Sequence, residues 1–412
     1  MTKTARELIE KELEDANTNF SLFQNENYLS FDHIPDLLPH RTSQIKNLVH
    51  FFKGLFLDDL GGLNFKQSVI LLGAIGTGKT STAKRFGLDI EAYSEKKMVG
   101  ITVIYRHING RTMRSINLVL IELLKSILPY FPNRGFSTGE LIHSVFDELE
   151  KSNLYLILTI DEIDYLFQDN DINSLLYALT SLGSNHERDI RNRLSLILIT
   201  RNRDFVFLLD PHTKSSLAKN IIKFDSYNKQ QLFDILKERV DVAFKLNVIS
   251  DLLIEVIAEI AAERGGDARL GIELLWRSGK TAENYKEDHI TAEHIRISLS
   301  SINSLNKSII AELSKIQKLI LYSSAVLLNQ NPEIYSINKT LVEKKSIIEA
   351  ETIDYNKDDI IKEFPTNLKK LIELGLLVGY DINKNDSEKN FNISIEIPTY
   401  DLLKTLSILL KK

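Results

Sequence analysis

The run Gly73-Ala74-Ile75-Gly76-Thr77-Gly78-Lys79-Thr80 constrains this chain more than any other feature. It follows the apolar segment QSVILL (67–72) and precedes the helix-forming STAKRFGLDI. A strand that ends in glycines and continues as a helix gathers backbone N–H groups around one point, with the positive end of the helix dipole behind them. That arrangement binds phosphate, and G-x-x-x-x-G-K-[ST] is its sequence form. Gly73 to Ser81 are therefore expected to cradle ATP or ADP. The Lys79 ammonium would sit on the β- and γ-phosphates and the Thr80 hydroxyl on Mg2+.

A phosphate loop of this kind also needs a parallel sheet to grow from. Four further short apolar runs provide the strands: ITVIYRH (101–107), LYLILTI (154–160), LSLILIT (194–200) and NIIKF (220–224). Their shortness and β-branched content suit strands buried on both faces, so the first 225 residues read as an α/β domain. The metal requires a second acidic group at the end of a neighbouring strand, and LYLILTI runs directly into Asp161 and Glu162. Asp161 is expected beside Mg2+ and Glu162 where it polarises a water for attack on the γ-phosphate. Asp164 reads as a helix-start residue.

The length of 412 residues allows two or three domains at about 150 residues each. Residues 1–21 read as a polar tail, 22–227 as the phosphate-loop domain, 228–300 as a helical domain and 301–412 as a third unit. In that last unit LLVGYDI, a polar turn and the alternating FNISIEI follow helices, which is the pattern of a winged helix. The chain has no Cys, which excludes disulfide scaffolding, Cys nucleophiles and thiolate zinc sites. Its first twenty residues are charged throughout and its apolar runs stop at about eight residues, so neither a signal peptide nor a membrane span is expected. These features predict an intracellular soluble protein.

Beyond the phosphate loop, the chain resembles the AAA+ superfamily, and within it the archaeal initiators related to the eukaryotic origin recognition complex and its helicase-loading partner. Several motifs carry the resemblance. Leu38-Pro39-His40-Arg41 looks like the family's L-P-H-R segment, which implies that Pro39, His40 and Arg41 pack on the adenine; the residues alone read equally as a helix-entry turn. Asn109 and Arg111, in YRHINGR, occupy the strand end where the family shows Asn near Arg. Arg134-Gly135-Phe136-Ser137-Thr138-Gly139-Glu140 looks like the G-[LF]-S-T-x-E segment near a DNA-contacting insertion, implying DNA contacts from Arg134, Ser137 and Thr138. As plain chemistry, Ser137 is a helix N-cap.

The resemblance places sensor 1 at Arg201, where the family usually has Asn: either Asn202 takes the role after a one-residue shift, or Arg201 contacts phosphate as a cation. Leu209-Asp210-Pro211-His212 resembles the D-P-R box, with His212 in place of the Arg that could act as a finger; an arginine finger can contribute a factor of about 10³–10⁵ in rate, and a neutral imidazole cannot replace it. Gly266-Asp267-Ala268-Arg269 looks like the G-D-A-R motif, implying that Arg269 reports ATP against ADP. The implied fold is an AAA+ P-loop parallel-sheet domain with an α-helical lid and a C-terminal winged helix. The implied function is an ATP-dependent switch, hydrolysing slowly at most, that binds duplex DNA at a replication origin. Another initiator paralogue and the replicative helicase are the implied protein partners, and the implied location is cytoplasmic and nucleoid-associated.

Charge divides unevenly along the chain. The formal net charge is −5, but residues 301–412 contain no Arg, and their 15 Lys are matched by 15 Asp and Glu. Arg is the usual reader of guanine, because its fork matches O6 and N7. Asn367, Lys369 and Lys370 are the candidate DNA contacts in the third unit, on a segment that Pro365 is expected to interrupt. Arg106, Arg111, Arg114, Lys125 and Arg134 shift the expected DNA surface towards the ATPase domain. The alternative is a divergent paralogue that keeps the nucleotide switch and uses its winged helix for protein contacts.

Overall fold

A computed structural model of the chain describes residues 20–56, 67–97, 102–113, 115–168, 172–181, 193–217, 220–302, 308–353, 355–381 and 391–411. The chain forms two compact units: Asp32–Gln231 with Arg264–Ala268, and Met1–Phe31 with Leu232–Glu263 and Arg269–Lys412.

In the first unit β1 (Ser68–Gly73), β2 (Thr102–Asn109), β3 (Leu154–Asp161), β4 (Leu194–Thr200) and β5 (Ile221–Phe224) form a sheet in the order β2-β3-β4-β1-β5. All its pairings are parallel. The five strands start within one residue of the apolar runs that predict them. Alternation sorts their side chains between two cores. Val69, Leu71, Val103, Tyr105, Ile157 and Ile199 join Leu48 and Phe52 of α1 (Thr42–Phe52) and Ala83, Phe86 and Ile90 of α2 (Lys79–Lys97). On the other face Ile104, Leu156, Leu158, Leu196 and Leu198 pack with α3 (Ile116–Ile127), α4 (Thr138–Lys151) and α5 (Ile172–Ser181). Two short helices, α6 (Phe205–Leu208) and α7 (Pro211–Leu217), connect β4 to β5.

One expectation needs correction here. Asp161 does not end a strand adjacent to β1, because β4 lies between β1 and β3.

The second unit contains α8 (Lys229–Ala243), α9 (Asp251–Glu263), α10 (Ala268–Tyr285) and α11 (Ala292–Ile302), and α8 and α10 begin within the first unit's segments. Residues 20–31 pack here rather than with the sheet. The rings of Phe23 and Phe244 are 4.7 Å apart, the Lys245 amide donates to the Leu22 carbonyl at 2.9 Å, and Trp276 Nε1 donates to Glu26 at 2.6 Å. An apolar residue at position 23 finds its partner about 220 residues downstream, which local sequence pattern does not reveal.

After α12 (Ser308–Glu312), α13 (Lys315–Asn329), α14 (Lys339–Thr352), α15 (Lys357–Glu373) and α16 (Thr399–Lys411) surround a small antiparallel sheet. Its strands β6 (Ile337–Asn338), β7 (Val378–Asp381) and β8 (Phe391–Ser394) lie in the order β6-β8-β7, and β7 and β8 form the winged-helix hairpin. The wing turn NKNDSEKN and the tail before Phe20 lie outside the described residues. Pro365 does not interrupt α15 but sits inside it, on the exposed side. The ring removes the N–H that would bond the Ile361 carbonyl, and both residues lie on the exposed side of the helix. No helix among the described residues is long and apolar enough to cross a membrane.

Arg296 of α11 fastens the lid helices to the winged helix. It is fully buried, donates through Nη2 to the carbonyls of Ile334 and Tyr335 at 2.9 Å each, and reaches Glu293 at 3.2 Å. Glu293 in turn accepts from the Thr399 amide at the start of α16, at 2.7 Å. Arg296→Ala leaves those carbonyls and Glu293 without the cation, and is expected to destabilise this unit by about 3 kcal/mol or more. The only Trp, Trp276, lies on α10, so urea unfolding followed by its fluorescence reads this unit. A change below about 1 kcal/mol would contradict the role given to Arg296.

Candidate nucleotide-binding site

The loop after β1 turns sharply, with φ of 69° at Gly76 and 83° at Gly78. Both are left-handed conformations that suit glycine. Space demands glycine too: a Cβ on Gly76 would run into the Asp267 carboxylate, and one on Gly78 would lie 2.7 Å from the Tyr227 hydroxyl. Within the loop Lys79 Nζ donates to the carbonyls of Gly73 at 2.8 Å and Ala74 at 2.6 Å, and Thr77 Oγ1 donates to Ala74 at 2.9 Å. Ile75 is half exposed at the rim, and Ser81 lies half-buried in the first turn of α2.

Thr80 Oγ1 donates to Asp161 Oδ2 at 2.7 Å. The two oxygens assigned to the metal thus meet even though β4 separates their strands. α2 leaves β1 and packs across the sheet towards β2, where its Gly87 sits against the Tyr105 ring. Its first turn therefore faces the end of β3. A hydroxyl and a carboxylate are hard donors of the kind Mg2+ accepts, usually one or two protein oxygens alongside substrate phosphates. Among the described residues, no group of three or more His, Asp or Glu is arranged to hold a metal unaided.

Asp161 is buried, and its Oδ1 accepts from the Glu162 amide at 2.8 Å. His107 Nε2 is 3.4 Å from its Oδ2, and the Tyr105 hydroxyl is 3.2 Å from His107 Nδ1. Burial pushes the Asp161 carboxyl up. The hydrogen bonds from His107, Thr80 and the Glu162 amide, with the His107 charge, outweigh it and hold the carboxyl below its ordinary value. His107 went unassigned in the sequence. Its position on the same face as Asn109, the register partner of Asp161, emerges only once β2 pairs with β3. Glu162 has φ 51°, turning the chain directly after the strand.

β4 ends between the phosphate loop and Asp161. Asp164, read as a helix start, lies in the first turn of the short 3-10 helix Ile163–Gln168, and it also accepts from the Thr200 hydroxyl at 2.6 Å and the Arg201 amide at 3.3 Å, tying the ends of β3 and β4 together. Arg201 Nη2 donates to the Tyr165 hydroxyl at 3.0 Å, and the guanidinium of Arg111 lies 5.5 Å from the same ring's centroid. Asn202 accepts from the Asp204 amide through Oδ1 at 2.9 Å, which leaves its side-chain nitrogen to donate. Asp210 caps α7, accepting from the amides of His212 and Thr213 at 2.9 and 3.0 Å, while His212 is exposed beside Tyr177.

Pro39 is half-buried and His40 exposed with φ 60°, but Arg41 is buried. Its Nε donates to the Thr77 carbonyl and its Nη2 to the Asp225 carbonyl, both at 2.9 Å, and its guanidinium carbon lies 3.9 Å from the Tyr227 ring centroid. Arg41 therefore grips the loop itself. The Ala268 amide donates to the Gly76 carbonyl at 3.2 Å. Arg269 follows in sequence and belongs to the helical unit.

The expected DNA contacts are dispersed. Ser137 is the N-cap of α4 in a reciprocal capping box with Glu140, and Thr138 donates to Asn117 at 2.7 Å, so both hydroxyls are used in the fold. Asn367 is buried, with Nδ2 donating to the Glu363 carbonyl at 3.1 Å, and is no surface contact. It lies on the core face of α15 beside Phe364 and Leu368. Arg134, Lys369 and Lys370 are exposed. Arg106 is occupied by the carbonyls of Tyr105 and Ser126 and by Glu91, and Arg114 lies outside the described residues.

A family model described as AAA domain matches residues 64–209, and one described as Cdc6 AAA+ ATPase-type lid domain matches 233–299. ORC1-type DNA replication protein 2 of Sulfolobus acidocaldarius is 32% identical over 330 residues, 78% of each chain. The chain belongs to the ORC1-type DNA replication protein family. ORC1-type DNA replication protein 2 of Sulfurisphaera tokodaii is 30% identical over 406 residues, covering 96% of this chain and 94% of its own. Among solved structures, Cdc6p from Pyrobaculum aerophilum aligns with TM-score 0.76 at 24% identity, covering 95% of this chain and 99% of that one. The Aeropyrum pernix ORC1 protein in complex with DNA gives 0.61 at 24%, covering 94% and 97%, and the Aeropyrum pernix ORC2 protein in its ADPNP-ADP complexes 0.62 at 20%, covering 95% and 99%. At those identities the likeness is one of fold, and it makes the ORC1-type architecture of sheet domain, lid and winged helix the architecture of this chain.

The depressed Asp161 carboxyl has a pH signature. Its charged form contributes stability in full above the ordinary carboxyl value of 3.8, and that contribution is lost as pH falls through the lower folded value. The stability difference between wild type and Asp161→Asn is expected to stay constant from pH 7 to about 5 and to shrink in more acidic solution. Denaturant unfolding across pH tests this, and a difference that grows on acidification would refute it.

Proposed function

We propose that the protein is an ATP-dependent replication initiator that binds duplex origin DNA, with the ATP or ADP state as its switch and helicase recruitment as its output. The observation that carries the nucleotide reading is the hydrogen bond from Thr80 to Asp161 at the mouth of the glycine loop. The Aeropyrum pernix ORC2 relative solved with ADPNP and ADP supports it. Lys79, now on the carbonyls of Gly73 and Ala74, would exchange them for phosphate oxygens. Thr80 and Asp161 would hold Mg2+, which when bound offsets the phosphate charge. Glu162 would take the proton of the attacking water, and the Asn202 amide would orient that water or the γ-phosphate. Arg269 would report the nucleotide state to the lid. An exposed His212 in place of an arginine finger supports slow turnover.

For DNA, the supporting facts are the Aeropyrum pernix ORC1 relative solved with DNA and the exposed Arg134. The buried Asn367 and the Arg-free C-terminal domain favour a second reading, in which the winged helix makes protein contacts, with a paralogous initiator as the partner. Anisotropy of labelled origin and scrambled duplexes across a salt series separates the two. Tighter binding to origin supports the initiator, and absence of binding near 0.1 M salt supports the second reading.

Two substitutions test the switch. At ATP concentrations 100-fold above Kd, the wild type should gain about 2.7 kcal/mol of stability, and Lys79→Ala should abolish the gain. Glu162→Ala should keep that gain while losing the slow release of phosphate. An unchanged thermal shift in Lys79→Ala would refute the phosphate site.

A further inference from the structure

We propose that Arg41 is a positioning residue of the phosphate loop, aiming its N–H groups before nucleotide arrives, with the Tyr227 ring as the platform that fixes the guanidinium. The inference rests on the phosphate-site reading above and adds a residue to its machinery.

In a planar trans peptide the carbonyl of one residue and the N–H of the next point in opposite directions. Holding the Thr77 carbonyl on Arg41 Nε at 2.9 Å therefore turns the Gly78 N–H away from the guanidinium. The preceding peptide is held in the same way, since the Gly76 carbonyl accepts from the Ala268 amide and so orients the Thr77 N–H. Two consecutive N–H groups of the cradle are thus set by bonds made on the far side of their own peptide planes. Gly78 has φ 83°, and glycine alone imposes little restriction on such a plane. An external tether supplies the missing order.

The tether is itself fixed. Arg41 Nη2 donates to the Asp225 carbonyl, and the guanidinium stacks 3.9 Å from the Tyr227 centroid, with Phe224 at 5.3 Å on the same segment. Tyr227 is buried, and its amide donates to the Gly266 carbonyl at 3.4 Å. Lysine cannot substitute, because one ammonium neither spans two carbonyls with fixed geometry nor stacks as a plane. A buried guanidinium spent on two backbone carbonyls is also poorly suited to reading a base.

The test compares ATP with inorganic tripolyphosphate, which has no adenine, each competing against a fluorescent ATP analogue on the full chain. For Arg41→Ala, Arg41→Lys and Tyr227→Leu, both affinities are expected to fall in parallel, by about tenfold or more. Tyr227→Phe, which keeps the ring face, should recover most of what Tyr227→Leu loses. If ATP weakens and tripolyphosphate does not, Arg41 contacts the base and the proposal fails; it fails equally if neither weakens. Circular dichroism establishes that each variant folds, and should Arg41→Ala not fold, Arg41→Lys and Tyr227→Leu carry the test. Lys79→Ala separates the underlying reading: if it leaves both affinities intact, the phosphate site itself is wrong, whatever Arg41 does.

Discussion

The hydrogen bond from Thr80 to Asp161 reaches past the end of an intervening strand, and the geometry of the site follows from how the fold makes that possible. β4 lies between the strands that lead to these two residues. The gap is closed by the course of α2, whose first turn carries Lys79 and Thr80 over the sheet towards β2. The same insertion puts Thr200, Arg201 and Asn202 between the loop and the acids, where Asp164 holds the end of β4 against the end of β3. A site assembled from three strand ends and a helix start is rigid because each piece is anchored in the sheet's two cores.

Guanidinium groups do much of the internal fastening. Arg41, Arg193, Arg239 and Arg296 are all buried. Arg41 binds the carbonyls of Thr77, Asp225 and His40, Arg296 binds two backbone carbonyls, Arg239 binds the Tyr28 carbonyl at 3.0 Å, and Arg193 pairs with Glu150 at 2.7 Å. A planar donor fork can satisfy carbonyls of two segments at once, which suits it to joints. Arginine content therefore overstates the charge available to nucleic acid. Among the described residues four arginines are structural, and Arg106 and Arg201 are engaged on the surface.

Much of the fold was legible because parallel strands buried on both faces leave short continuous apolar runs. The five strands of the sheet carried such runs, and β8 of the hairpin showed instead the apolar–polar alternation of FNISIEI. The phosphate loop was legible for a different reason: its backbone needs glycine at fixed positions, and its chemistry needs Lys and Thr next to them. Features that depend on distant partners were not legible. Phe23 reads as the start of the phosphate-loop domain until Phe244 of the helical unit appears beside it. Pro365 reads as a break, yet α15 continues through it, with Pro365 and Ile361 on the exposed side of the helix. Ser137 read both as a DNA contact and as a cap, and the structure uses it as a cap.

The sequence by itself determined that a strand, a glycine loop and a helix meet at a phosphate, because covalent neighbours and backbone conformation fix that local geometry. It also determined the helical lid, the hairpin and the uneven distribution of arginine. Only the tertiary structure decided which strand stands between β1 and β3, that His107 faces Asp161, that Asn367 points into the core, and that Arg41 grips the loop. Those facts depend on strand order, register and packing between residues far apart in the chain, and side-chain type alone carries no record of them.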